Sequence, residues 1–326
     1  MKKMKKMIYL AVGLVLCIAT LATGTYGLSD RNIEIYKRAL DMEKEVEEST
    51  FQGYCLSQFP VAFYDGEHDY VVTGSAEDCQ VEKRKPVFDV FVGTAYEAED
   101  HYEVLLPTIE KFSRMFELLN TTEVVSAGSA ENTVFEENTY GDEEHIATMY
   151  HEGFHAFQMT NFEENIIECL KGRDFDEGGL SEQMIVEQVD HNTKLVEIYE
   201  KQLALLKKMM LSDSMEEIKK DLLQYKSNEE KRKALLPEDV LILEEYYERV
   251  EGTAFYVEST VYGMMHTKEE YDGYYIEPMA HYTDGSQKYY KIGMAKCKIL
   301  DKFSEDWKEN YDFSESLTDL LYEQVL

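Results

Sequence analysis

Ile146-Ala147-Thr148-Met149-Tyr150-His151-Glu152-Gly153-Phe154-His155-Ala156-Phe157-Gln158 is the stretch on which the reading of this chain turns. His151 and His155 are four residues apart, so on a helix they project from one face and can reach a single metal ion. Glu152 follows the first histidine and lies close enough to address a water in an open coordination position. Ile146, Met149, Phe154 and Phe157 make the helix apolar. The histidines are therefore expected inside a packed core, where an uncompensated imidazole pair needs a partner such as Zn2+. Two ligands make a poor site, so the chain must supply a third.

Three readings of that third ligand follow from the sequence. Asp174 or Asp176 stands a short interval after His155, in the polar run Lys171-Gly172-Arg173-Asp174-Phe175-Asp176-Glu177-Gly178-Gly179, which has the composition of a solvated turn. His191 is followed by Asn192 on a strongly polar segment. The best reading is Glu251, because Glu251, Ala254, Phe255 and Glu258 share one helical face. Gly252 and Ala254 leave room for a facing backbone, and an acid on such a face is costly to bury unless a cation meets it.

The motif His151 to His155, together with Glu251-Gly252-Thr253-Ala254 on a later helix, resembles the gluzincin branch of zinc metallopeptidases. The resemblance covers two short segments. It implies a zincin-like core, His151, His155 and Glu251 as metal ligands, Glu152 as general base, and Glu258 as a partner behind a ligand histidine. The interval between His155 and Glu251 is longer than in the better-known members, which implies a helical insertion over about residues 180–236. The resemblance also implies a Tyr or His donor for the oxyanion. Tyr289, Tyr290, His266 and His281 are available, and Tyr290, near a helix start, is the choice.

The expected activity is hydrolysis of a peptide or protein substrate by zinc-activated water. Two other classes fit the same residues: a non-catalytic or structural zinc-binding envelope protein, and a zinc hydrolase of a non-peptide amide. Glu152 argues against the structural site, which has no use for a base there.

Working outward, the N-terminus has four lysines, an apolar run from Met7 to about Ala22, and the small residues Thr23-Gly24-Thr25-Tyr26-Gly27. That layout predicts a signal peptide or an N-terminal membrane anchor over residues 1–27, and a secreted or extracytoplasmic protein. In an oxidising compartment Cys55 and Cys79 are the expected disulfide. A formal charge of -32 repels phosphate backbones and anionic membranes and excludes nucleic acid as a partner. Hydrophobic content of 44% with only 5 Pro and 18 Gly indicates a globular chain with long regular elements.

The fold class expected is α+β, predominantly α-helical, as a single domain over residues 28–326. A helix and a small N-terminal antiparallel sheet occupy residues up to 141, with helices from 142 onward. The helix from Asp30 is followed by β-rich runs at Pro60–Tyr64, Tyr70–Thr73 and Val87–Val92, with Asp65-Gly66 as a hairpin turn. Leu105–Leu119 reads as a helix with Pro107 in its first turn, and 124–140 as an irregular segment or edge strand. Helices are expected at Leu180–Leu211, Met215–Leu235 and from Pro237 through Glu251. An aromatic loop is expected at Tyr271–Gly285, then helices at Gln287–Phe303 and Ser314–Val325. The stripe Leu195, Ile198, Leu203, Leu206 and Met210 reads as core.

Overall fold

Helix α1 (Asp30–Ser49) buries Asn32, Ile35, Tyr36, Ala39 and Val46, a spacing of three and four that puts them on one face. The computed structural model describes residues 28–88, 93–114, 140–175, 179–304 and 306–326. Within these the fold is predominantly helical with one five-stranded sheet. The strands are β1 (Val61–Tyr64), β2 (Asp69–Gly74), β3 (Cys79–Arg84), β4 (Thr94–Ala98) and β5 (His101–Pro107), in the order β3-β2-β1-β5-β4.

The sheet is mixed, which corrects the expectation of an antiparallel one. β1 pairs antiparallel with β2 but parallel with β5, with Val61 opposite Val104 and Tyr64 opposite Pro107. The Asp65-Gly66 turn forms as expected: Asp65 Oδ1 accepts from the backbone N–H groups of Glu67 and His68, both at 2.8 Å, and Gly66 has φ 104°. Such a turn signal specifies only the strand next along the chain. The other edge of β1 is taken by β5, whose pairing is non-local and leaves no local mark.

The helix expected over Leu105–Leu119 also shifts. Leu105 and Leu106 belong to β5 and Pro107 ends it, while residues 109–114 are helical and residues 115–119 lie outside the described ones. Val104, Leu105 and Leu106 are all fully buried, and a run buried on both faces has no alternation to tell strand from helix. Of the expected strand Val87–Val92, residues 87 and 88 are not in a strand and the rest lie outside the described residues, as do residues 124–139.

Cys55 and Cys79 stand as free thiols in the structure. Cys79 opens β3, and Cys55 caps the 3-10 turn Leu56–Gln58 that precedes β1.

The chain forms two compact units, one holding residues 28–45 and Cys55–Ala156 and the other Val46–Tyr54 and Phe157–Leu326. In the first, one sheet face packs Ala62, Tyr64, Val71, Tyr96 and Leu105 together. Asn32 of α1 accepts from the Ile109 N–H at 2.9 Å and donates to Glu110 at 2.9 Å, fastening α1 to the turn after β5. Tyr150 donates to the Ala39 carbonyl at 2.6 Å, and Arg31 and Arg38 meet Asp142 and Glu143. These contacts hold the helix that carries the histidine motif.

The second unit is built from helices α3 (Thr193–Leu211), α4 (Met215–Lys233), α5 (Glu238–Met265), α6 (Gln287–Leu300) and α7 (Leu317–Val325). The long helix expected from Leu180 is broken. A short turn at Glu182–Ile185 and a π-turn at Val186–Asp190 precede Asn192, whose side chain caps α3 by accepting from Leu195 N. The expected loop at Tyr271–Gly285 is helical turns as far as Ala280. α5 runs well past Glu251 and crosses α6 at Gly252 and Gly293. A β-carbon on Gly252 would fall 2.5 Å from the Gly293 Cα, so the two backbones touch.

Candidate metal centre

Helix α2 (Asp142–Cys169) begins with Asp142, Glu143 and Glu144, three charges suited to the positive end of the helix dipole. Glu144 accepts from Gly141 N at 2.8 Å. One turn in, His145 is fully buried between the Phe63 and Phe112 rings. Tyr140 bridges His145 Nδ1 and Thr148 Oγ1, each at 3.1 Å. Burial holds the His145 imidazole down at about 3, so it is a neutral core residue.

His151 and His155 follow on the same helix, 7% and 2% exposed, with their rings 4.8 Å apart. Their Nε2 atoms converge to 3.1 Å. Glu251 on α5 is 2% exposed, and the ligating atoms of His151, His155 and Glu251 all lie within 4.8 Å of one another. Among the described residues this is the only such group of His, Cys, Asp or Glu. The group could hold a metal ion. Its donors fit one: a tetrahedral ion bound at about 2.1 Å spaces its donors about 3.4 Å apart, near the separation of the two imidazole nitrogens.

The approach of α5 is set by a residue to which the sequence alone assigned no role. Gln158, one turn beyond His155, donates to the Val250 carbonyl at 3.0 Å and to Thr253 Oγ1 at 2.8 Å, and so grips the turn that carries Glu251. Thr253 in turn donates to the Arg249 carbonyl at 2.7 Å. The legible signal was a glutamine following the apolar residues Ala156 and Phe157 beside the histidine motif. A buried amide needs partners, and here they lie on α5. The contact of Gly252 with Gly293 was foreshadowed by the small residues beside Glu251.

No protein-family model matches this chain, and no curated protein or solved structure does.

Glu152 is 6% exposed and follows His151 on α2. Tyr290 is half-buried near the start of α6, and burial, then the charges of Glu251, Tyr247 and Glu182, push its phenol well above the usual range. Tyr246 and Tyr247 are raised in the same way, with Glu251 contributing to both. Tyr290 thus lies within electrostatic reach of Glu251 and stays protonated, as a hydrogen-bond donor must. Tyr289 is committed elsewhere, donating to Glu244 at 3.1 Å and meeting Tyr199 at 3.0 Å. Glu258 accepts from Tyr275 at 2.9 Å.

Asp174 and His191 are exposed and outside the group, and Asp176 lies outside the described residues. His281 is exposed, and His266 stacks on Tyr262 and faces Glu270. The predicted 1–27 segment lies outside the described residues. Among the described ones, no helix is long and apolar enough to cross a membrane.

Proposed function

We propose that this chain is an exported zinc metallopeptidase of the gluzincin type, with a zincin-like core. The observation that carries the reading is the buried convergence of His151, His155 and Glu251, with Glu152 next to the first ligand. Two imidazoles and one carboxylate are a donor set suited to zinc in catalytic sites. When bound, the ion would polarise a substrate carbonyl and acidify water at its open position.

The chain's own residues supply the rest. Glu152 takes the proton of the attacking water and returns it to the amide nitrogen as the C–N bond breaks. Tyr290 donates a hydrogen bond to the oxygen on which charge develops. Glu258 orients the site from behind. The charge-rich N-terminal run supports export.

The test measures zinc content and peptide-library hydrolysis for the wild type and for Glu152→Gln. The reading expects about one zinc per chain in both proteins and a loss of cleavage of about 10³-fold in the variant. Bound zinc with no cleavage of peptides by the wild type would favour a structural site or a non-peptide amide as substrate. Folded, metal-free and inactive wild type would sink the proposal.

A further inference from the structure

Gly93 stands immediately before β4, the edge strand of the sheet. A β-carbon built on it would fall 2.6 Å from Glu152 Oε1 and 3.1 Å from both Cγ and Cδ of the same side chain. The nearest obstacles to a side chain at position 93 all belong to Glu152. The backbone at residue 93 lies along the carboxylate end of that residue like a wall.

We infer that Gly93 is a positioning residue for Glu152: its bare backbone confines the carboxylate to the rotamer in which it acts as base. The inference rests on the peptidase reading. A base must sit within hydrogen-bond reach of the proton it takes, and a side chain free to sample several staggered rotamers spends less time there. A wall of backbone removes some of those rotamers without adding a group that competes for the proton. A methyl at residue 93 cannot share the space with Oε1, and the side chain is the softer of the two, so the carboxylate moves.

The test has two arms. In the first, Gly93→Ala, Glu152→Ala and the double variant are compared by thermal unfolding of the metal-free protein. If the clash is with the carboxylate, Gly93→Ala lowers Tm by about 2–4 °C in the wild-type background and leaves it unchanged beside Glu152→Ala. The cycle cancels any effect of alanine on the unfolded chain, which is common to both backgrounds. If Gly93→Ala does not fold alone, recovery of folding by Glu152→Ala carries the same information. An equal loss in both backgrounds overturns the inference.

In the second arm, peptide hydrolysis by Gly93→Ala is expected to show kcat lowered about 10²-fold, with KM and zinc content unchanged. Coupling in the first arm with an unchanged kcat overturns the positioning role. A wild type that cleaves nothing removes the peptidase reading and this role with it. The stability coupling then still reports whether the contact exists.

Discussion

Two buried polar regions on α5 differ in how their acids are met. Glu244 and Glu248 lie in the helical core. Arg232 reaches Glu244, together with Tyr199 and Tyr289, and Lys296 reaches Glu248 and donates to Thr318 at 2.5 Å. Glu251 lies on the same helical face, and it is gathered with two imidazoles. The first region is closed by cations that the chain itself provides, in the manner of a structural network. The second sets two imidazoles and a carboxylate within 4.8 Å of one another, a group that could hold a metal ion. Burial alone marks both regions. The identity of the partner separates them.

The comparison breaks most readily at Arg232. Burial and the nearby Glu248 already push the Glu244 carboxyl well above its usual range, so removing Arg232 leaves a buried acid with less support. Arg232→Met should cost about 3–5 kcal/mol by denaturant unfolding, and the loss should be the same with zinc present or chelated. A double variant, Arg232→Met with Glu244→Leu, should recover most of it. A loss that depended on zinc would merge the two regions into one.

Gly252→Ala sharpens the contrast, because Gly252, the residue after Glu251, touches Gly293, which also lies against the Glu248 carbonyl. Forcing the helices apart should cost about 1–3 kcal/mol and should also weaken zinc binding, read by competition with a chromophoric chelator. Stability lost with zinc affinity intact would mean that the crossing does not set the Glu251 position.

A smaller effect comes from His145, a buried polar group with no counter-charge. Its folded-state value of about 3 lies below the ordinary 6.5, so between those limits the unfolded chain binds a proton that the folded chain refuses. Stability should therefore fall as pH drops through that window, by up to about 1.4 kcal/mol per pH unit from this residue. In His145→Phe the slope of unfolding free energy against pH should be shallower by that amount. An unchanged slope would show that other groups carry the acid sensitivity.

Much of the second unit was legible because helices announce themselves locally. Met215–Lys233 and Gln287–Leu300 begin where the pattern puts them, and Leu195, Ile198, Leu203 and Leu206 are core, while Met210 is half-buried and Met209 takes the buried position. The sheet was less so. β3 is mostly exposed and polar, and β5 pairs with β1, far back along the chain, through contacts that local periodicity does not encode. At the site, the four-residue interval between the histidines needs only helical geometry to be read. Gln158 and Gly93 needed the fold, since each matters through a residue far along the chain.

By itself, the sequence determined that His151 and His155 share a helical face with Glu152 beside them, because helix periodicity acts over a single turn. It also narrowed the third ligand to a few acids and a histidine. It already favoured Glu251; the tertiary structure brings that carboxylate to the two imidazoles, and only it set the Gly93 backbone against Glu152. Both depend on how distant segments pack, and packing is decided by the burial of whole faces rather than by any local run of residues.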